Sequence, residues 1–269
     1  MASAREAVAA AADALTAAGC DTPRLDAELL IADAIGLDRA ALVTDPSRTL
    51  DAAAARLAME RVRRRTRREP VAYILGRRAF RQLDLAVDRR VLIPRPETEL
   101  LVEVATELAP PGASVHDVGT GSGAVALALA HERPDLTVTA SDASASALEV
   151  ARANANRLGL DVGFEHAPGL SLATEATLDL VVANLPYVRE DEWSGLEPEI
   201  TRWEPRSALL GGADGLEAIR SLAHGTQPGT LVALEHAPGQ AAAVRELLRD
   251  AGTRTDLSGR PRVTVGHAR

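Results

Sequence analysis

Asn184-Leu185-Pro186-Tyr187 follows the apolar run Leu178-Asp179-Leu180-Val181-Val182-Ala183. An asparagine, a constrained turn and an aromatic ring at the end of a buried strand suit one task. They grip a planar –NH2 group, an amide or an exocyclic base amine, and present its nitrogen for reaction. The Asn184 side-chain oxygen and the Leu185 backbone carbonyl are the candidate acceptors for its two N–H bonds. Pro186 fixes φ and holds the turn, and Tyr187 offers a flat wall. An amide nitrogen is a poor nucleophile because its lone pair is delocalised into the carbonyl. Acceptors on both N–H bonds draw that pair out of conjugation. Proximity and orientation then supply much of the rate, and no strong base is needed if the proton leaves after the transfer. The same tetrapeptide also reads as a plain strand-ending turn, since Asn and Pro are turn residues.

A second motif, Asp117-Val118-Gly119-Thr120-Gly121-Ser122-Gly123, suits a nucleoside cofactor. Glycines allow a tight turn and a close backbone approach to a ligand, and the helix that follows offers unpaired N–H groups. Downstream, Ser141-Asp142 ends the next apolar segment, where a carboxylate can accept from both hydroxyls of a ribose. Gly119, Gly121 and Ala124 also satisfy the dinucleotide pattern, with Asp142 about 20 residues on. Hydride transfer has no use for an amine clamp, so Asn184–Tyr187 favours S-adenosylmethionine over a dinucleotide. The expected contacts to that cofactor are Gly119, Thr120, Gly121, Ser122, Gly123, Asp142 and Asn184. Together the two motifs describe a methyltransferase acting on a planar nitrogen.

Residue periodicity supplies the elements that must position these motifs. Residues 1–72 are expected to form a small helical domain, with helices over Arg5–Ala18, Pro23–Ile35 and Asp51–Arg68. Gly19, Gly36 and Pro46 separate them. From Tyr73 to Ile93 the pattern shifts to alternation at Phe80–Val87 and an apolar Val91–Ile93, which predicts a β-hairpin linker over 73–93. After Pro94-Arg95-Pro96, residues 94–269 are expected to form the catalytic domain. Strands are predicted over Ser114–Val118, Leu136–Ser141, Val162–Glu165, Leu178–Ala183, Thr230–Glu235 and Arg262–Val265. Helices are predicted over Glu97–Leu108, Gly123–Glu132, Ala145–Leu158, Gly215–Ala223 and Gln240–Ala251. Such alternation implies an α/β fold, a parallel sheet covered on both faces, with ligands at the carboxyl ends of its strands.

Composition narrows the partners. The chain has 269 residues, 46% of them hydrophobic but only 2% aromatic, so its core must be mostly aliphatic. It contains no lysine, which excludes a P-loop. A net charge of −8 argues against non-specific coating of nucleic acid. The single cysteine, Cys20, cannot form an internal disulfide and fits a reducing cytoplasm. The N-terminus lacks a signal-peptide layout, and no apolar stretch has membrane-spanning length. A soluble, cytoplasmic monomer is expected, with no membrane partner and no direct nucleic-acid binding. The six histidines are scattered, so no metal site is expected. Arg61, Arg63, Arg64, Arg65, Arg67 and Arg68 form a basic cluster that reads first as a solvated helix face.

Several segments give the chain a family resemblance. They are Glu69–Gly76, Leu92–Val102, Asp117–Gly123, Asn184–Tyr187, Glu204–Leu209, Gly212–Leu216 and Asp256–Arg260. With these the chain resembles the HemK-type release-factor glutamine methyltransferases along most of its length. The resemblance implies a Rossmann-like methyltransferase sheet behind an N-terminal helical domain that docks a release factor. It implies methyl transfer from S-adenosylmethionine to the glutamine of the Gly-Gly-Gln loop of peptide-chain release factors. Asn184, Leu185, Pro186 and Tyr187 would contact that glutamine, and Arg95, in the Leu92–Val102 motif, reads equally as shaping the substrate channel or as capping a helix. Two segments depart from the family. Leu185 stands where the family usually has proline, which makes the motif similar also to that of ribosomal RNA adenine-N6 dimethyltransferases. His166–Leu170 replaces the acidic residue and aromatic expected near the adenine. An RNA adenine-N6 methyltransferase and a release-factor-binding protein without activity are the competing readings.

Overall fold

The computed structural model describes residues 3–167 and 178–269. The chain divides into two compact units, one of Met1–Gly76 with Glu197–Trp203, the other of Arg77–Leu196 with Glu204–Arg269.

The first unit is helical: α1 (Ala4–Ala17), α2 (Pro23–Ala34), α3 (Arg39–Thr44), α4 (Ala52–Thr66) and α5 (Val71–Leu75). A capping box starts α1, where Ser3 and Glu6 satisfy each other's backbone N–H groups. Asp51 caps α4 by accepting from the Ala54 amide. Ala4, Val8, Leu15, Ala27, Ile31 and Leu42 build its aliphatic core. Five of the six arginines of the basic cluster make ion pairs. Arg61 meets Asp33, Arg63 meets Glu60, and Arg64 meets Glu69. Buried Arg65 holds Asp26 and Glu199, and Arg68 holds Glu197 and Glu199. The last three carboxylate contacts fix the segment Glu197–Trp203 in this unit.

The second unit opens with the hairpin β1 (Arg77–Phe80) and β2 (Leu83–Ala86), followed by α6 (Glu99–Leu108). The hairpin is tighter than the sequence pattern implies. Val71–Leu75 is helical, Val91–Ile93 belongs to no strand, and Phe80–Val87 spans both strands and the turn. Then come β3 (Ser114–Val118), α7 (Ala124–Glu132), β4 (Thr137–Asp142), α8 (Ala145–Leu158), β5 (Gly163–His166) and β6 (Leu180–Ala183). The short α9 (Pro198–Trp203) lies in the first unit. The sheet is completed by α10 (Glu217–Gly225), β7 (Leu231–Glu235), α11 (Ala241–Leu247), β8 (Arg249–Thr255) and β9 (Pro261–His267).

The strand order is β5-β4-β3-β6-β7-β9-β8. The first five are parallel, but β9 runs antiparallel to both β7 and β8. The parallel sheet expected from the alternation of strands and helices is thus mostly parallel, with β9 antiparallel to its neighbours. β8 and β9 are joined by a short turn, in which Asp256 accepts from the Ser258 and Arg260 amides, and a connection that short forces antiparallel pairing. The helix expected over Gln240–Ala251 correspondingly stops at Leu247, and Arg249 begins β8.

β6, at the centre of the sheet, is apolar on both faces because it feeds two cores. Leu180 and Val182 of β6 join the core that contains α6 and α7, while Val181 and Ala183 join the one built by α10 and α11. From β3 the chain builds outward through β4 and β5. It then returns to lay β6 on the other side of β3. The carboxyl ends of β3 and β6 therefore flank the point where strand order reverses, the usual ligand crevice of such sheets.

Candidate active site

The glycine loop leaves β3 at that reversal. Gly119, Gly121 and Gly123 all have positive φ, at 76°, 57° and 85°. Asp117, buried in β3, turns its carboxylate under the loop and accepts from the Thr120 hydroxyl (2.7 Å) and the Ala126 amide (3.2 Å). Burial pushes Asp117 up to about 7, against those two donors. The Gly119 and Thr120 amides both donate to the Ser141 carbonyl, which ties the loop to β4. Asp142 accepts from the Gly121 amide and the Ser144 amide, each at 2.8 Å. His116, the strand residue before Asp117, sits between the hydroxyls of Thr139 and Ser141. Desolvation holds it down at about 4, so it is a neutral packing residue.

The acceptor loop leaves β6 next door. The Asn184 side-chain amide donates to the Thr98 hydroxyl at 2.9 Å, which leaves Oδ1 as its outward atom. Leu185 is buried, with its side chain in the α10–α11 core. A Cβ on Gly119 would lie 3.0 Å from Leu185 Cδ2, so the two loops touch here. Among the described residues the Leu185 carbonyl accepts no hydrogen bond.

The next two carbonyls are pinned. A Cβ on Gly211 would meet the Pro186 carbonyl oxygen at 2.4 Å, and one on Gly215 would meet that of Tyr187 at 2.3 Å. Gln240 Nε2 donates to the Tyr187 carbonyl at 3.0 Å, and the Ala237 amide donates back to Gln240 Oε1. Gly211 and Gly215, the second within the Gly212–Leu216 motif, thus form a bare backbone platform on which the acceptor loop lies.

A cavity of about 630 Å³ runs between the two loops, lined among others by Gly119, Gly121, Asp142, Asn184, Leu185 and Pro186. A small neighbouring hollow of about 50 Å³ is lined by Arg95, Thr98, Asp117, Thr120, Ser122 and Asn184. Asn184 borders both. Gly123 lines neither; it caps α7, where a Cβ would lie 2.8 Å from Leu127 Cδ1. Tyr187 also lines neither, and its hydroxyl donates toward Glu235 Oε1 at 3.4 Å. Burial first, and then the charge of Glu235, pushes that phenol well above its ordinary range. Arg95 is held by buried Glu204 at 2.5 Å, and the same carboxylate accepts from the Ile93 amide. Of the segment replacing the usual acidic residue and aromatic, His166 Nε2 donates to the Ala143 carbonyl. Pro168, Gly169 and Leu170 lie outside the described residues.

Periodicity did not reveal Thr98, Glu204, Glu235 or Gln240 as parts of this site. Glu235 ends β7, whose register with β6 pairs Ala183 with Leu234 and so puts Glu235 beside Asn184. It is fully buried. Desolvation pushes it up to about 7, opposed by the polar groups beside it and by the charge of Arg262. Among the described residues no three His, Cys, Asp or Glu side chains are grouped to hold a metal ion. Nor is any described helix long and apolar enough to cross a membrane.

Residues 6–76 match the PrmC N-terminal domain, and residues 96–196 match the methyltransferase small domain. The chain is 41% identical over 270 residues to the release factor glutamine methyltransferase of Caulobacter vibrioides, covering 96% of this chain and 93% of that one. It is 44% identical over 259 residues to the protein of the same name from Xylella fastidiosa, covering 90% and 92%. Among solved structures it is similar to the hMettl16 catalytic domain in complex with a MAT2A 3'UTR hairpin. The TM-score is 0.54 and the identity 13%, over 67% of this chain and 73% of that one, a likeness of fold.

Proposed function

The chain belongs to the release factor glutamine methyltransferase family, and from that premise we propose that it methylates the glutamine of the Gly-Gly-Gln loop of peptide-chain release factors on its side-chain nitrogen. The observation that carries the reading is the Asn184 amide at the reversal point, its NH2 spent on Thr98 and its oxygen outward. That oxygen and the unengaged Leu185 carbonyl accept from the two N–H bonds of a substrate amide. A glutamine side chain offers those two donors on one planar nitrogen.

The methyl donor in this reading is S-adenosylmethionine, whose sulfonium supplies an activated methyl group when bound. The residues present fit it. A cavity of about 630 Å³ is of the size that encloses a nucleoside-sized ligand. A Cβ on Gly121 would meet nothing within 4 Å, so a ligand can approach its backbone closely. Asp142, with one face held by the Gly121 and Ser144 amides, has lone pairs left for ribose hydroxyls. Gly119 borders the same cavity, and Thr120 and Ser122 border the small hollow beside it. With the donor bound there, Asn184 and Leu185 would hold the substrate nitrogen facing the cavity, the donor would supply the methyl group to it, and the nitrogen's proton would leave to water.

Residues 1–72 serve to dock the release factor, and residues 94–269 carry the reaction, in the cytoplasm and as a monomer. The test is incubation with methyl-labelled S-adenosylmethionine and either a release factor or ribosomal RNA. Label in the release factor is the expected result. Label in RNA alone would overturn the reading in favour of adenine methylation. Cofactor binding without label in either would leave a release-factor-binding protein.

A further inference from the structure

In the motif Glu204–Leu209, Glu204 holds Arg95 and the Ile93 amide. Pro205, Ser207 and Ala208 line the cavity together with Asn184 and Pro186. Arg206 does neither. It is exposed, and its guanidinium lies over the ring of Trp193, 5.1 Å from the centroid. Among the described residues its side chain makes no ion pair and no hydrogen bond. Arg189 and Arg220, on flanking segments, are by contrast each spent on an aspartate.

Backbone hydrogen bonds tie the stacked pair to the acceptor loop. The Val188 amide donates to the Leu209 carbonyl and the Gly211 amide to the Val188 carbonyl, both at 2.9 Å. Val188 and Leu210 thereby form a parallel bridge. Val188 directly follows Tyr187, and Trp193 comes next in the short turn Glu190–Gly195. The ring and the guanidinium thus stand on the two segments that leave the acceptor loop and the cavity wall. Stacking holds the guanidinium plane and leaves its N–H donors free at the edge.

A guanidinium held this way binds oxygens lying in its plane. Carboxylates are disfavoured, because the turn that carries Trp193 also carries Glu190, Asp191 and Glu192, with Arg189 alone to offset them. Neutral backbone carbonyls remain. A glutamine side chain is short, so with its nitrogen at Asn184 the backbone that carries it stays at the cavity mouth. Glycine peptides have no Cβ to keep them off a flat surface.

We propose that Arg206, stacked on Trp193, is a specificity-determining residue that binds backbone carbonyls of the glycines preceding the substrate glutamine. The inference rests on the reading of the Gly-Gly-Gln loop as the substrate. It makes the glycines, and not the glutamine alone, part of what is recognised.

The test measures steady-state methylation of a release factor, and of the same factor with the first glycine of Gly-Gly-Gln changed to alanine. The enzymes are the parent, Arg206→Ala, Arg206→Lys and Trp193→Leu, and calorimetric affinity for S-adenosylmethionine is measured for each. Arg206→Ala is expected to raise KM for the native factor about tenfold or more, through loss of a charged hydrogen bond. Its kcat and cofactor affinity should stay within about twofold, which a structural defect would not spare. Trp193→Leu removes the stack and should raise KM at least about threefold. Arg206→Lys keeps the charge without the fork and should stay at least about fivefold above the parent KM. The alanine substrate should cost the parent about tenfold in kcat/KM but Arg206→Ala less than about threefold, because both changes remove one contact. A KM for Arg206→Ala within about twofold of the parent, full rescue by lysine, or losses that multiply on the alanine substrate would overturn the inference. If the parent methylates no release factor, the Gly-Gly-Gln reading itself falls and takes this inference with it, so the two failures are told apart.

Discussion

The glycine loop after β3 and the acceptor loop after β6 leave neighbouring strands of one sheet, yet they are held in opposite ways. The glycine loop is held from within. Its left-handed glycines, the Asp117 carboxylate beneath it and the Asp142 carboxylate beside it all come from one stretch of chain. The acceptor loop is held from outside. Leu185 is sunk in the α10–α11 core, Pro186 and Tyr187 lie on Gly211 and Gly215, Gln240 grips the Tyr187 carbonyl, and Thr98 grips Asn184. A loop that wraps a ligand with its backbone needs little beyond glycine and an acid. A loop that must orient a reacting nitrogen needs a rigid support drawn from the whole domain.

The sharpest way to break this comparison is to disturb one support and spare the other. Gly211→Ala forces a Cβ against two backbone carbonyls, those of Pro186 and Gly215, which cannot swing away as a side chain could. Methyl transfer is expected to fall by about a hundredfold or more, with cofactor affinity within about threefold of the parent, measured by kcat and by calorimetric titration. A matching loss of cofactor affinity would show that the loops are not separately supported.

Leu185→Ala attacks the point where the loops meet. Removing a buried leucine side chain is expected to cost about 2–3 kcal/mol, read from denaturant unfolding. Both cofactor affinity and kcat should weaken, since the Leu185 side chain also rests on Gly119.

Gly121→Ala is the converse of the first variant. Its Cβ meets no protein atom and points into open space, but the residue has a φ of 57°. A cofactor affinity about tenfold weaker is expected, from backbone strain and a methyl group in the cavity, with KM for the release factor unchanged.

The smallest effect is on the pH dependence of stability. The folded pKa of Glu235 lies near 7, above its ordinary 4.5. The contribution is therefore fully present below about 4.5 and is lost as pH rises to about 7. Asp117 adds loss in a similar window, from 3.8 to about 7. His116, held down at about 4 from 6.5, has the opposite sign, gaining stability as pH rises. Comparing Glu235→Gln with the parent cancels the last two. Between pH 5 and 8 the parent is expected to lose about 2–4 °C of melting temperature more than the variant does. Equal losses would mean that Glu235 ionises in the fold as it does in water.

The same contrast explains what could be read from the residues. The glycine loop is legible because its parts are contiguous, with Asp142 at the next strand end. The apolar runs of β6 and β7 announce themselves because both their faces are buried. The acceptor loop is legible only as a tetrapeptide. Its supports at Thr98, Gly211, Gly215, Glu235 and Gln240 are scattered along the chain, and only the fold gathers them.

The misread elements have local causes. The hairpin turn Arg81-Gln82 carries no Gly or Asn, yet Arg81 has a φ of 51°. Its amide donates to Glu99, and its guanidinium is held by Glu132 and Glu103, so tertiary contacts replace turn chemistry. β8 reads as helix because Arg249-Asp250-Ala251-Gly252 has no strand character of its own. Pairing with β9 makes it a strand, with a register shift at that point and a φ of 52° at Asp250.

The central claim is that the acceptor loop presents a glutamine nitrogen of a release factor for methylation. Peptide-mapped mass spectrometry tests it most directly, on a release factor incubated with S-adenosylmethionine and either the parent protein or Asn184→Ala. One added methyl group on the Gly-Gly-Gln glutamine is expected from the parent, formed at least about a hundredfold more slowly by the variant. Methylation at another residue, or equal methylation by both proteins, would contradict the account.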